Sequence, residues 1–310
     1  MTHSSPQTSN AAKDAPKSRL GLWLTLPAQL LILFVAVFPL LMQLYLSFSD
    51  WTPLAGRSWT RAHELWIGFW NYSDLFADPR FWGALWRTMI VIGIAVPVEF
   101  LLGLGLATLF MQDFRGKKVL YSTLLVPMMI VPAVAGYMFF LLFQSDGPIN
   151  GLLSALTGLD VSIRWLTDPD LAIFAVMIAD IWQWTPLMFL ILLAGLLGVP
   201  REQLTAATLL GASPWQRFRT IVLPKIKVII VIALAIRVIE VFKIFDTLFI
   251  MTAGGPGTAT ETISVFFYKI MTLELAWSYV AAAGLVILIA LSILAVAAMY
   301  FLPKSKEAGK

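Results

Sequence analysis

The sequence predicts an all-α membrane protein with six transmembrane helices and one long polar loop on the cytoplasmic face. Three observations support this: the composition is strongly apolar, the apolar residues fall in six long runs, and a polar stretch at 199–224 separates two of those runs. Of the 310 residues, 59% are hydrophobic and 13% charged, and the mean hydropathy is +0.82. Soluble domains have roughly 45–50% apolar and 25% charged residues, so we expect a bundle within a bilayer.

Six runs are long enough to cross a bilayer core, which requires roughly 20 mostly apolar residues in a helix. They lie at about 20–48, 83–112, 119–143, 171–197, 225–252 and 277–302. Prolines inside several runs predict kinks, because neighbouring helices can satisfy the backbone groups that a proline frees. Residues 1–19 are polar and predict a disordered cytoplasmic N-terminal tail, and 303–310 predict a short cytoplasmic C-terminal tail.

The distribution of lysine and arginine predicts the orientation. Fourteen of them lie in the two tails, in the connection between the second and third spans, and in the 199–224 loop with its exit. Five lie on the opposite side. Because cytoplasmic loops carry an excess of positive residues, both termini and the 199–224 loop are predicted in the cytoplasm. The net charge of +4 therefore reflects membrane flanks and does not indicate nucleic-acid binding.

The residue inventory excludes several kinds of site. The chain has no cysteine, so it cannot form a disulfide framework, a thiol nucleophile or a thiolate metal site. Its two histidines, His3 and His63, lie in a tail and in a loop, and cannot build a metal cluster. We expect no metal and no cofactor bound by this chain.

The loop at 199–224 predicts two short helices joined by a glycine turn. The first covers 202–210, and Gly211 permits the turn that follows. The second begins at Pro214, capped by the preceding serine, and is expected to end at Leu223-Pro224. From the residues alone, an ordinary packed loop and a docking element for a partner are equally good interpretations.

The same stretch resembles the EAA signature of membrane subunits of binding-protein-dependent ABC importers. That signature reads Glu-Ala-Ala, three residues, Gly, nine residues, Ile, one residue and Leu-Pro. The positions that match it with the correct spacing are Ala206, Ala207, Gly211, Ile221, Leu223 and Pro224. Thr205 stands where the family usually has Glu, and Leu210 where it often has Asp. A threonine cannot form the salt bridge of a glutamate, but it can hydrogen-bond within its own helix.

Two further segments resemble the carbohydrate-type members of that family. Residues 242–264 are similar to a Phe-Asp…Leu-Thr-x-Gly-Gly-Pro segment, with Gly254-Gly255-Pro256 as a tight turn on the outer face. The pattern at 182–196 also fits. The resemblance extends over roughly 20–302 and implies a type I importer permease fold, in which these residues form one six-helix domain and 199–224 is the coupling loop.

The resemblance also implies a role and partners. The chain would be a non-catalytic permease subunit of a bacterial inner membrane that imports a sugar or polyol by alternating access. Its partners would be two ABC ATPases, a second homologous permease and an extracytoplasmic solute-binding protein. ATP and Mg²⁺ would bind to the ATPase, since the sequence has no G-x-x-x-x-G-K-[ST] loop. The residues predicted to couple to the ATPase are Thr205, Ala206, Ala207, Gly211, Ala212, Trp215, Phe218, Arg219, Leu223 and Pro224.

Charged residues within the predicted spans are candidates for pairing or for a pathway, because each costs roughly 2.5–3.5 kcal/mol at mid-bilayer. We expect Glu99 to pair inside the bundle. Arg237, Glu240, Lys243 and Asp246 alternate in sign at intervals of three. This spacing predicts a self-neutralising ladder along one helix, or alternatively the wall of a hydrophilic pathway.

Asp180 lies one helical turn before Trp184, and a carboxylate near aromatic rings suits a sugar. In maltose-type relatives the matching region of this span faces the translocated sugar. The resemblance therefore implies that Asp180, Gln183 and Trp184 line the substrate pathway, with Tyr137 and Asp246 as further candidates. Structural packing explains these residues equally well.

Three other functions compete with a sugar permease. The first is an ABC permease for another solute, such as glycerol phosphate or an amino acid. The second is an ion-driven secondary transporter, which would favour an internal repeat that the sequence does not display. The third is a membrane enzyme, but no paired carboxylates, Ser/His pair or metal constellation support catalysis.

Overall fold

Helices dominate the part of the chain that the computed structural model describes, which is residues 19–301. Within that range the only β-type pairing is a single antiparallel bridge between Ser49 and Trp66. The tails predicted at 1–19 and 303–310 lie outside the described residues, except that Arg19 begins the first helix.

Thirteen α-helices lie between residues 19 and 301, together with a 3₁₀ helix at Trp59–Leu65 and a π-helical turn at Phe218–Val222. The α-helices are α1 (Arg19–Ser47), α2 (Trp70–Ala77), α3 (Pro79–Phe110), α4 (Lys117–Met129), α5 (Pro132–Leu142), α6 (Pro148–Thr157), α7 (Pro169–Leu197), α8 (Arg201–Leu209), α9 (Pro214–Arg217), α10 (Leu223–Phe242), α11 (Asp246–Thr252), α12 (Ile263–Thr272) and α13 (Trp277–Phe301).

Four of the described helices are long and apolar enough to cross a membrane: α1, α3, α7 and α13. The predicted third span is broken, because α4 and α5 together are long and apolar enough but meet at a bend of 98°. The predicted fifth span at 225–252 is not continuous either. Helix α10 ends at Phe242, and α11 begins only at Asp246. The structure therefore confirms four of the six predicted spans, with a fifth if the bent pair is counted as one.

Helices α3 and α7 begin at Asp-Pro pairs for the same physical reason. The carboxylate of Asp78 accepts the backbone N–H of Arg80 at 2.7 Å, and that of Asp168 accepts the N–H of Asp170 at 2.9 Å. The proline after each aspartate occupies the first helical position, where its missing N–H removes no intrahelical bond. Both long helices thus have a defined first residue.

The described chain divides into two compact units. One comprises residues 19–73 and 276–290, and polar contacts hold it together. The amide of Asn71 donates to the carbonyls of Ser47 and Ser49 at 2.9 and 2.8 Å, and the Ser278 hydroxyl donates to the carbonyl of Trp51 at 2.9 Å. Each of these polar side chains is buried, so the bonds replace those that water would supply.

The other unit comprises residues 74–275 and 291–301 and is built around the packing of α3 on α7. Gly103 of α3 lies so close to α7 that an added Cβ would be 2.8 Å from Met188 Cγ and 2.9 Å from Phe189 N. Small residues allow such close helix approach in membrane proteins. The apolar core beside this contact includes Ala107, Phe110, Met188, Phe189, Leu192, Leu196, Ile226 and Ala233.

The bend between α4 and α5 is held by hydrogen bonds from two other helices. Gln183 of α7 donates its Nε2 to the carbonyl of Ile130 at 2.8 Å. Thr247 of α11 donates its hydroxyl to the carbonyl of Pro132 at 3.1 Å. The end of α4 leaves the carbonyl of Ile130 without an intrahelical partner, so the Gln183 amide satisfies a group that a membrane interior would otherwise penalise. The Thr247 bond ties α11 to the first residue of α5.

Candidate functional site

A buried cluster of three charged side chains joins α3, α7 and α10. The guanidinium of Arg237 donates from Nε and Nη2 to the two carboxylate oxygens of Glu99, at 2.5 and 2.7 Å. Nη2 also donates to Oδ2 of Asp180 at 2.8 Å. Arg237 is 1% exposed, Glu99 0% and Asp180 4%. Glu99 thus pairs inside the bundle as predicted, and its partner is Arg237.

An aromatic ring completes the environment of this cluster. The Cζ atom of Arg237 lies 5.3 Å from the centroid of the Trp184 ring, within range of a cation–π interaction. A buried guanidinium requires compensation on every side, since its transfer out of water costs several kcal/mol. The two carboxylates and the ring supply that compensation and fix the rotamer of Arg237.

A cavity of about 190 Å³ opens beside the cluster, between the break at 130–132, α7, α10 and α11. Charged, polar and aromatic side chains line it: Asp180, Trp184, Arg237, Glu240, Lys243, Phe245, Asp246 and Thr247, with Pro132 and Ile244. The structure therefore brings three of the predicted pathway residues, Asp180, Trp184 and Asp246, to one concave surface.

The other two predicted pathway residues lie outside this cavity. Gln183 is fully buried, and its amide nitrogen is bonded to the carbonyl of Ile130 at the α4–α5 bend. Tyr137 is exposed on α5 and stacks against Phe140, with 6.2 Å between ring centroids. In this conformation Gln183 stabilises the α4–α5 bend, and Tyr137 faces outward from the chain.

The predicted charge ladder is wrong in two of its three steps. Lys243 does pair with Glu240, at 3.1 Å. Arg237 instead points away to Glu99 and Asp180, because a bidentate bond inside the bundle is stronger than an exposed pair one turn along. Asp246 is not on the same helix, since the chain leaves α10 after Phe242 and Asp246 starts α11. The alternative interpretation, a polar wall, matches the lining of the cavity.

The 199–224 loop contains the two predicted helices, α8 and α9, joined at Gly211. The N–H of Ala212 bonds to the carbonyl of Ala207 at 2.9 Å, and the N–H of Gly211 bonds to that of Thr208 at 3.0 Å. Gly211 has φ of 83°. This is a Schellman motif, which requires a left-handed residue just past the helix end, so a glycine is favoured here.

The start of α9 is fixed by a reciprocal pair of hydrogen bonds. The Ser213 hydroxyl accepts the N–H of Gln216 at 3.2 Å, and the Gln216 side chain accepts the N–H of Ser213 at 2.8 Å. This capping box satisfies two N–H groups that a helix start otherwise leaves free. Arg217 then donates from Nη1 to the Thr208 hydroxyl at 2.5 Å, which ties α9 to α8. The two helices therefore form one rigid corner.

The prediction that Leu223-Pro224 ends the second helix is wrong. Helix α9, the π-helical turn Phe218–Val222 and α10 follow one another without a break. The N–H of Leu223 bonds to the carbonyl of Phe218, five residues back. The wider turn accommodates Pro224, which has no N–H and would collide with the carbonyl four residues before it in a regular α-helix. One helical rod thus runs from the loop into the bundle.

The residues predicted to couple to an ATPase lie mostly on the surface of this corner. Thr205, Ala206, Gly211, Trp215, Arg219, Leu223 and Pro224 are exposed, and Ala207, Ala212 and Phe218 are half-buried. The Thr205 hydroxyl donates to the carbonyl of Arg201 at 3.1 Å, which is the local hydrogen bond expected of a threonine there. Trp215 is 67% exposed and stacks on Phe218, with 5.8 Å between centroids. The corner offers a mixed apolar and polar surface.

A second charged cluster, which the sequence did not reveal, lies outside the predicted spans, in the segment after the glycine turn at 254–257. Glu261 is fully buried and accepts hydrogen bonds from Arg80 at 2.7 and 3.1 Å and from Lys269 at 2.9 Å. Burial acts to raise the pKa of Glu261, but the hydrogen bonds from Arg80 and Lys269 outweigh it and hold the pKa below its ordinary value. Nothing in the sequence links Arg80 to Glu261, because 181 positions separate them.

Comparison with known proteins identifies the family. The family described as the binding-protein-dependent transport system inner membrane component matches residues 99–307. This chain belongs to that family. The matched region of the permease contains the buried cluster, the cavity and the 199–224 loop.

Two curated relatives and one solved structure are similar to the permease over most of its length. A probable ABC transporter permease protein of Sinorhizobium fredii is 36% identical and covers 83% of this chain and 84% of its own. The trehalose/maltose transport system permease protein of Thermococcus litoralis is 32% identical, over 82% of this chain and 83% of the relative. A chain of a bacterial alginate ABC transporter, crystallised with an alginate pentasaccharide-bound periplasmic protein, matches with a TM-score of 0.78 at 21% identity. The match covers 95% of this chain and 97% of the alginate transporter chain. That structure shares the fold of the permease.

Proposed function

We propose that this chain is the membrane-spanning subunit of an ATP-driven importer that translocates a sugar or polyol by alternating access. The observation that carries the proposal is the continuous helical rod from Pro214 to Phe242. One end of this rod is the exposed corner at Gly211, and the other end bears Arg237 and Glu240 beside the cavity. The rod links the surface where a partner would dock to the surface where a solute would bind.

The rod is suited to transmit motion. At 1.5 Å per residue it is roughly 40 Å long, comparable to the thickness of a bilayer. The end of the rod at the loop is fixed to α8 through the bond from Arg217 to Thr208. The end at the cavity is fixed to α3 and α7 through Arg237. A displacement of the corner would therefore be transmitted along the rod to the cavity wall formed by α10 and, through Arg237, to α3 and α7.

The partners in this proposal are two ABC ATPases, a second homologous permease and an external solute-binding protein. ATP and Mg²⁺ would bind between the ATPases, which dock on the 199–224 loop in the cytoplasm, where both termini would also lie. Closure of the ATPases would favour an outward-open arrangement, and hydrolysis would restore the inward-open one. Such coupling requires that each partner bind one of the two arrangements more tightly than the other.

The lining of the cavity supports a polyhydroxylated solute. Asp180, Asp246 and Glu240 supply carboxylate oxygens that can accept hydrogen bonds from hydroxyl groups. Trp184 and Phe245 supply rings against which the C–H face of a sugar can pack. One of the relatives is a trehalose/maltose transport system permease protein, which is consistent with this chemistry.

Co-purification from cells that express the neighbouring genes tests the proposal. The tagged chain should retain an ATPase through detergent extraction, and addition of solute-loaded binding protein should raise the rate of ATP hydrolysis several-fold. A chain that purifies without any ATPase, and that accumulates solute in response to an ion gradient alone, would show that the proposed energy source is wrong.

A further inference from the structure

We infer that the cavity beside Arg237 selects uncharged solutes and excludes anionic ones such as sugar phosphates, uronates and sulfonates. The inference rests on the proposed function in one respect: it takes this cavity to be part of the solute pathway. It adds a charge class that the family assignment leaves open.

The charges that line the cavity have a negative excess. Among residues 23–296, whose side chains the structure describes, three acidic and two basic residues contribute to the lining. The acidic ones are Asp180, Glu240 and Asp246, and the basic ones are Arg237 and Lys243. Glu99 does not line the cavity, but its carboxylate lies behind Arg237, within hydrogen-bond distance of the guanidinium. An anion entering the cavity would therefore meet repulsion in a region of low dielectric constant.

Arg237 gives an anion little net attraction, because its charge is already offset by two carboxylates. Its Nε and Nη2 atoms are already bonded to three carboxylate oxygens, of Glu99 and Asp180. Its ring-facing surface lies over Trp184. The bonds to Glu99 and Asp180 leave the donors of Nη1, but an anion that bound there would lie beside two buried carboxylates and be repelled by both.

Lys243 does not correct the imbalance. Its ammonium lies 3.1 Å from Oε1 of Glu240, so the two charges cancel locally. The side chain of Lys243 is 61% exposed, and the pair is therefore weak, but any anion that recruited Lys243 would leave Glu240 facing the same cavity. Asp246, exposed at the start of α11, has no lysine or arginine within salt-bridge distance among the described residues.

Hydroxyl groups face no such penalty. They can donate to the carboxylates that line the cavity and to the Thr247 hydroxyl oxygen, and can accept from Lys243. The cavity thus offers several acceptors to a neutral polyol and no unpaired guanidinium to an acid. A neutral sugar or polyol is the solute class that fits.

The absence of native cysteine allows the local potential to be measured directly. A Phe245→Cys variant of the full chain, in membranes, places one thiol on the cavity lining. Its rate of reaction is measured with methanethiosulfonate reagents of similar size that carry a neutral hydroxyethyl, a cationic trimethylammonium-ethyl or an anionic sulfonatoethyl group. Each rate is divided by the rate of the same reagent with 2-mercaptoethanol in solution. Thr247→Cys serves as a second reporter.

We expect the corrected rate of the anionic reagent to be at least tenfold lower than that of the neutral reagent. The corrected rate of the cationic reagent should be no lower than that of the neutral one. Glu240→Gln and Lys243→Gln form a matched control pair, since they change the charge by one unit in opposite directions at the two partners of one exposed ion pair. Glu240→Gln should speed the anionic reagent and Lys243→Gln should slow it further, each by severalfold.

Equal corrected rates for the anionic and neutral reagents would overturn the inference. Failure of both reporter thiols to react with the neutral reagent would overturn it as well, because a cavity closed to small solutes selects none. The measurement needs neither ATP nor a partner. It can therefore fail while the chain still co-purifies with an ATPase, and it can succeed if that test of the proposed function fails.

Discussion

Arg237 on α10 and Glu99 on α3 form a bidentate, fully buried ion pair, with donor–acceptor distances of 2.5 and 2.7 Å. The pair is 138 positions apart in sequence and is joined by Asp180 of α7. The cluster thereby fixes three helices in one register. Buried ion pairs cost free energy to desolvate, so their contribution is to specify this arrangement and to penalise its loss.

Replacement of Arg237 by Met should destabilise the chain severely. It leaves Glu99 and Asp180 buried without a counter-charge, and breaking a buried pair in this way costs roughly 3–5 kcal/mol. We expect a large fall in melting temperature and in yield after detergent extraction. The triple variant Glu99→Met, Asp180→Asn, Arg237→Met removes all three charges and should recover most of the lost stability. A single Arg237→Met variant that melts as the native chain does would contradict this account of the cluster.

Gly103→Ala should weaken the contact between α3 and α7. The new Cβ would lie 2.8–2.9 Å from Met188 and from the backbone of Phe189, which requires the helices to separate. Overpacking of this kind costs roughly 1–3 kcal/mol. Gly105→Ala is the matched control, because it lies on the same helix with nothing within 4 Å of the added atom. Thermal unfolding in detergent should separate the two variants, and equal melting temperatures would count against so close an approach of the two helices.

Gly211→Val should impair coupling without preventing membrane insertion. Gly211 has a left-handed backbone, which costs a residue with a Cβ about 1–2 kcal/mol, and nothing lies within 4 Å of that position to cause a clash. The effect should therefore come from the turn alone. We expect Gly211→Val to lower solute uptake per ATP hydrolysed several-fold in the assembled complex. Gly211→Asn should keep this ratio close to its native value, because asparagine tolerates the left-handed conformation. Equal uptake ratios for both variants would show that the corner geometry does not matter.

Acidification should destabilise the native chain through Glu261. Because the folded pKa of Glu261 lies below its ordinary value, the stabilisation is fully present above about pH 4.3 and is lost as the pH falls through the folded pKa. The charged groups around this carboxylate are Arg80, Lys269, Arg87 and Glu274. The melting temperature of Glu261→Gln should be lower than native near neutral pH and should change less between about pH 6 and pH 3. If the melting temperatures of the native chain and of Glu261→Gln changed in parallel with pH, Glu261 would not be the group responsible.

The sequence predicted those features that depend on local patterns. The apolar runs that became α1, α3, α7 and α13 were evident from hydropathy along the chain. Helix α8 and the start of α9 could be predicted because capping residues and glycine turns act within a few positions. Glu99 could be assigned to a buried pair because an isolated carboxylate cannot remain in a bundle interior.

The features that were missed depend on competition between distant contacts. Arg237 bonds to Glu99 and Asp180 rather than to its helical neighbour Glu240, and only the packing of α3 and α7 shows that preference. The π-helical turn before Pro224 could not be read from the sequence, because a proline after a helical run more often ends it. The break at 243–245 divides a run that hydropathy alone treats as continuous.

Uptake of a labelled neutral disaccharide into sealed vesicles tests the central claim most directly. The vesicles contain this chain with its partner permease and ATPases, with ATP inside and solute-loaded binding protein outside. We predict accumulation that requires both ATP and the binding protein and that falls when Gly211→Val replaces the native chain. Sustained accumulation by this chain alone, without any ATPase or ATP, would contradict the proposed mechanism.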